Sequence, residues 1–130
     1  MRDMFLGLRT IIYPAPDLDA AKAWYTALLG LEPYFDERYY VGFSVAGYEL
    51  ALDPDGSVTD GPVTYWGVSD CGAAWDRLLD AGATARQPVR DVGDGIRVAA
   101  VADPSGNLVG IIENPHFVPS DGAGSPGPGR

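Results

Sequence analysis

Residues 14–33, PAPDLDAAKAWYTALLGLEP, and residues 68–83, VSDCGAAWDRLLDAGA, give the same instruction twice. In each, an extended segment runs into an aspartate, and apolar residues then recur at helical spacing until a glycine. Asp17 has the short acceptor side chain that satisfies free N–H groups in a first helical turn. After it, Leu18, Ala21, Trp24, Tyr25 and Leu28 follow helical periodicity. Gly30 stands where a left-handed residue ends a helix. Asp70 repeats the cap, Trp75, Leu78 and Leu79 the stripe, and Gly82 the stop. The pattern predicts helices over 17–29 and 70–82, with Trp24 and Tyr25 packed in the core.

Strand signals surround both helices. Leu8–Tyr13 precedes the first, and 34–37, 39–45 and 48–52 follow it, punctuated by Gly47 and by Asp53-Pro54-Asp55-Gly56. Val63–Val68 precedes the second helix; 84–88, 96–101 and 108–112 follow it, the last after Asp103-Pro104-Ser105-Gly106-Asn107. The chain is therefore a βαβββ unit written twice. The modules span about 5–56 and 60–115 within one domain, 1–117. Residues 118–130, rich in glycine and proline, read as a flexible tail.

At 130 residues there is room for one domain. The net charge of -9 argues against nucleic acid and against an anionic membrane surface, since little basic surface exists to meet phosphate. No apolar run reaches the ~18 residues of a spanning helix, and the N-terminus lacks a secretory segment. The single cysteine, Cys71, makes neither an internal disulfide nor a zinc cage, which points to the cytoplasm. Cys71 opens a helix, where a thiolate is favoured, but no histidine is near in sequence and it reads as inert. Nucleotide-binding loops and a serine nucleophile elbow are absent.

The two opening stretches, with residues 101–115, VADPSGNLVGIIENP, stand in an order and register that resemble the vicinal oxygen chelate superfamily. That is the glyoxalase, bleomycin-resistance and extradiol dioxygenase group, and the likeness covers roughly residues 8–115. The D-P-x-G-N turn is its most specific piece. The resemblance implies an α+β fold: two tandem βαβββ modules forming a curved mixed sheet around a concave pocket, helices on the convex face. It also implies a homodimer, with module exchange left open. Metal-dependent members carry four ligand positions, usually His, Glu or Gln.

Here those positions are Thr10 and Val63, seven residues before the capping aspartates, Gly110, seven after Asp103, and Ala51, by matching Gly47 to Gly106. None offers an imidazole or carboxylate, so no metal and no cofactor is expected. Glu49 and Asp53, two residues either side of Ala51 on the same strand face, remain alternative ligands. The only histidine, His116, lies beyond the last strand.

A cavity floored by small residues suits a bulky planar guest. Ile12, Tyr65 and Ile112 share the strand faces of the four positions. With Val41, Phe43 and Val45 assigned to the core, Tyr40 faces the pocket, and Phe35 is beside it. The candidate ligand-binding set is Thr10, Ile12, Phe35, Tyr40, Glu49, Ala51, Val63, Tyr65, Gly110 and Ile112; no catalytic residue is assigned. Trp66 reads as core, and Arg38, Arg90 and Arg97 as solvated.

The resemblance is nearest in type to the bleomycin-resistance branch. It implies metal-free binding of an antibiotic-like, aromatic or polycyclic small molecule, with resistance by sequestration. An arginine-, alanine- and glycine-rich composition, typical of G+C-rich genomes, suits an antibiotic producer. The alternative is a metal-independent or weakly metal-dependent enzyme, lyase, isomerase or dioxygenase-like, using Glu49, Asp53 or a tyrosine as acid or base. A ligand-sensing or protein-interaction module is a third class. Expected partners are a natural product or drug and a second copy of the chain.

Overall fold

The computed structural model describes residues 4–116. The tail expected over 118–130 lies outside the described residues. In chain order the elements are β1 (Phe5–Pro14), α1 (Leu18–Leu29), β2 (Phe35–Glu37), β3 (Tyr40–Val45), β4 (Tyr48–Asp53), β5 (Val63–Val68), α2 (Cys71–Asp80), β6 (Thr84–Gly93), β7 (Ile96–Ala102) and β8 (Leu108–Glu113). This is the α+β pattern of two βαβββ modules in mixed sheet that the sequence predicts.

The punctuation works as the residue chemistry dictates. Asp17 accepts the Ala20 N–H at 3.1 Å at the start of α1, and Asp70 accepts the Ala73 N–H at 3.0 Å at the start of α2. Gly30, at φ 71°, donates back to Thr26 O and closes α1. The second helix ends a residue earlier than its glycine: Ala81 closes the last turn, and Gly82 leaves it at φ 102°.

Among the described residues the chain forms two compact units, one of residues 10–63 and one that joins residues 4–9 to residues 64–116. In the first, the strand order is β2-β3-β4-β1, with β1 parallel to β4 and the other pairs antiparallel. Val41, Phe43 and Leu52 form its buried centre, and Leu18, Ala21, Tyr25 and Leu29 of α1 pack on them. In the second, the order is β5-β8-β7-β6, with β5 parallel to β8. Its core is Val68, Cys71, Ala74, Ala99 and Ile111. Met4 and Phe5 pack against that core, and the Phe5 ring lies 5.3 Å from that of Trp66. These contacts explain why β1 begins in one unit and ends in the other.

Two expectations are corrected. Trp24 is not core: it is 60% exposed, as Leu28 is at 63%. Both sides of α1 are apolar, so periodicity alone could not tell the side facing the sheet from the side facing away. And β6 does not stop at Pro88 but runs on to Gly93. Its register against β7 slips between Gln87 and Arg90, so the ladder steps over a proline that has no N–H to donate. Among the described residues no helix is long and apolar enough to cross a membrane.

Candidate functional site

The first unit carries a carboxylate under a group of aromatic rings. Parallel pairing of β1 with β4 sets Thr10 beside Glu49 and Ile12 beside Ala51. Antiparallel pairing of β3 with β4 sets Gly42 beside Ala51 and Ser44 beside Glu49. Side-chain alternation puts these residues, with Tyr40, on the sheet face opposite α1. Glu49 is anchored there by three hydroxyls. Thr10 donates to Oε1 at 2.8 Å, Tyr40 to Oε1 at 2.9 Å and Tyr34 to Oε2 at 2.5 Å.

Gly42 makes this cluster possible. A Cβ on Gly42 would stand 2.5 Å from Glu49 Oε2 and 3.0 Å from the Tyr34 ring. Only glycine lets the carboxylate and the ring lie this close to the backbone of β3. Tyr34 is 62% exposed as a residue, but its hydroxyl turns inward to Glu49. Burial of that hydroxyl, its hydrogen bond to Glu49 and the carboxylate charge all push its pKa up, so it remains a proton donor.

Phe35 sits among three tyrosine rings, 6.5 Å from Tyr34, 6.1 Å from Tyr39 and 5.9 Å from Tyr40. It pairs with Gly42 across β2–β3, which gives it the Glu49 face. Thr10, Phe35, Tyr40 and Glu49 thus come together as one cluster, with Ile12 and the fully buried Ala51 beside it. Asp53 does not join: Oδ1 accepts the Asp55 N–H at 2.8 Å in the turn after β4. On the helix side of the same sheet lies a shallow apolar hollow of about 370 Å³, bordered by Tyr13, Tyr25, Leu52 and Val58.

The second unit uses glycines similarly but builds no such cluster. Tyr65 on β5 pairs with Gly110 on β8 and lies flat across it; a Cβ on Gly110 would stand 2.6 Å from the ring. The Arg9 guanidinium covers Gly67, with Nη2 2.7 Å from where a Cβ would sit. Ile112 pairs with Gly67 and Val98, and Val63 opens β5 half-buried at the end of the first unit. The remaining candidates are structural. Arg97 and the Cys71 N–H both meet Glu113, at 3.9 and 2.9 Å. Cys71 is fully buried, and burial foremost pushes its thiol up to about 11, with Glu113 and Asp70 adding to the rise and Arg97 opposing it. A buried thiol with a raised pKa holds little thiolate, which supports the inert reading of Cys71. Arg38 and Arg90 are exposed, and His116 meets the Asp94 carbonyl at 2.8 Å.

The residues at the four family ligand positions do not fit a transition metal. Thr10 gives its proton to Glu49, Ala51 and Val63 have no donor atom, and the space over Gly110 is filled by Tyr65. Among the described residues no group of three or more His, Cys, Asp or Glu is gathered as a metal site.

Sequence reasoning left Tyr34, Gly42 and Arg9 out of the candidate set. It put Tyr34 inside a strand over 34–37, whereas β2 begins at Phe35, so alternation within the strand does not place Tyr34. Gly42 was legible in principle, because a glycine inside a strand marks a close approach.

A family model described as Glyoxalase/Bleomycin resistance protein/Dioxygenase superfamily matches residues 7–111. Among curated proteins, the "Putative glyoxylase CFP32" of Mycobacterium bovis and that of Mycobacterium tuberculosis are each 31% identical over 108 residues, 73% of this chain. The chain spans 41% of the length of those relatives. Among solved structures, Streptomyces coelicolor methylmalonyl-CoA epimerase in complex with 2-nitronate-propionyl-CoA is similar at a TM-score of 0.71 and 20% identity, covering 89% of this chain and 99% of that one. A glyoxalase/bleomycin resistance protein/dioxygenase superfamily member from Vibrio splendidus is similar at 0.63 and 18%, covering 81% and 97%.

Proposed function

This chain belongs to the glyoxalase/bleomycin resistance protein/dioxygenase superfamily, and from that premise we propose that it binds a small aromatic organic molecule without a metal and holds it unchanged. One observation carries the reading: the Glu49 cluster, a fixed carboxylate flanked by exposed aromatic rings, in a chain whose four family ligand positions offer no imidazole or carboxylate. Rings of this kind gain affinity by desolvating a flat guest, while hydroxyls orient its polar atoms. Sequestration of an antibiotic-like or polycyclic compound, and resistance by that route, follow as the biological role. Protection of that kind is stoichiometric, so it needs affinity of about 1 µM or better, roughly -8 kcal/mol.

The test is titration with a panel of aromatic natural products, followed by mass spectrometry of the recovered compound. Tight binding with unchanged ligand supports the reading. A modified product with many turnovers per chain overturns it in favour of the second reading, an enzyme. That second reading is supported by the names of the relatives, an epimerase and a glyoxylase. In it, Glu49 and the tyrosine hydroxyls bonded to it move a proton on the substrate.

A homodimer in the cytoplasm completes the proposal. Trp24 and Leu28 present an apolar outer face on α1, the kind of surface that a second copy would cover. The relatives' length leaves room in one chain for a second segment as long as this one.

A further inference from the structure

The Glu49 cluster also has a charge imbalance. Its carboxylate is half-buried and accepts from three hydroxyls, all neutral donors. Among the described residues no ion pair is made to it. Lys22, the only lysine, is bonded to Asp36, whose pairing with Val41 puts it on the opposite face. A half-buried carboxylate without a counter-charge is costly, and anything that supplies positive charge at short range gains.

The three hydroxyls also take most of the carboxylate's roughly four acceptor sites, leaving little room for further hydrogen-bond donors. A charge that needs no donated hydrogen bond meets that requirement best. The rings supply the rest of the environment. Phe35 has no polar atom, and its ring is tilted 54° from Tyr34, 71° from Tyr39 and 74° from Tyr40, so neighbouring faces look in different directions. Phe35, Tyr34 and Tyr39 remain 37%, 62% and 63% exposed. Aromatic faces attract cations through the ring quadrupole. The net charge of -9 adds long-range attraction of the same sign.

We propose that this site takes a cationic nitrogen, an alkylated ammonium or a quaternised aromatic ring, seated against Phe35 and its tyrosines with Glu49 as counter-charge. The proposal rests on the binding reading above and gives it a ligand class.

Two probes with the same ring system separate charge from shape: N-methylquinolinium and quinoline, the latter neutral at pH 8. Calorimetric titration of the full chain should show the cation binding at least about ten-fold tighter. Glu49→Gln should bring the two probes to within about two-fold of each other. Because Glu49 anchors three hydroxyls, thermal melts accompany that variant. Phe35→Ala, on an edge strand, gives a second reading: the cation should lose about three-fold or more in affinity. Equal binding of both probes by the wild type, or binding of neither, overturns the cationic class. If a neutral natural product from the panel still binds tightly, the sequestration reading stands without it; if the whole panel also fails, both fall together.

Discussion

The two modules share one plan and differ in what they place on it. In the first, β3 reads YVGFSV, and the face around Gly42 is given to Glu49 and its rings. In the second, the equivalent strand β7 reads IRVAAVA and is buried on both faces from Val98 to Ala102. The helices differ in the same sense. The outer side of α1 shows Trp24 and Leu28 to solvent, whereas α2 turns Ala73, Asp76 and Asp80 outward. The two modules thus share the fold, while only the first gathers a carboxylate and aromatic rings on its sheet face.

If that contrast is functional, the two outer helix faces should respond to the same change in opposite ways. If the proposed homodimer uses this face, Trp24→Glu should convert it to monomer in light scattering at micromolar concentration, because a charge would then enter an apolar contact. Ala73→Glu on α2 should leave the mass unchanged. A wild-type chain that is already monomeric would break this part of the comparison.

The glycines give the next largest effect. At Gly110 an added Cβ meets Tyr65 atoms near the ring's root, 2.6 to 2.8 Å away, which only a rotamer change can clear. Gly110→Ala should therefore cost about 2–3 kcal/mol in denaturant unfolding. At Gly42 the nearest atom is the far end of Glu49, which can swing out. Gly42→Ala should cost about 1–2 kcal/mol of stability, less than Gly110→Ala, and weaken binding at the Glu49 site. Equal costs at the two glycines would show that the second module is no more rigid than the first.

The position after each capping aspartate sharpens the contrast by pH. It is Leu18 in the first module and Cys71 in the second. The folded thiol is pushed up to about 11 from an ordinary 9.0. Below pH 9 both states hold the neutral thiol, and between 9 and 11 only the unfolded chain ionises. Stability is therefore lost as pH rises through that window, by about 2 kcal/mol. Chemical denaturation of wild type and Cys71→Ala from pH 8 to 11 should converge as pH rises; parallel curves would count against the shift.

Much of the fold was legible because its signals are local. Asp17, Asp70, Gly30 and the Asp103–Asn107 turn each fix their own backbone, and the turn shows it: Asp103 accepts the N–H groups of Ser105 and Asn107 at 2.9 and 2.8 Å. Strand alternation then gave the correct faces for Thr10, Glu49 and Tyr40. What alternation could not supply was the long-range detail. The convergence of Tyr34 on Glu49 depends on β2 crossing Gly42, and the exposure of Trp24 depends on which of two apolar sides of α1 meets the sheet. Neither is encoded within a few residues of the side chain concerned.

The smallest predicted effect addresses whether the Glu49 cluster is a site or merely a stabilising network. Tyr40→Phe keeps the ring beside Phe35 and removes the hydroxyl that donates to Oε1 at 2.9 Å. A hydrogen bond to a carboxylate is worth more than a neutral one, but Thr10 still donates to the same oxygen. The unfolding free energy should fall by about 1 kcal/mol. Ligand affinity should rise, because Oε1 regains an acceptor site and the charge is less satisfied by protein donors. A scaffold network predicts a different pair of results: a larger loss of stability and no change in binding of N-methylquinolinium. Denaturant melts and calorimetry on the same variant separate the two. Loss of both stability and binding in proportion would make Tyr40 a structural support, and would leave Glu49 with Tyr34 as the groups that meet the ligand.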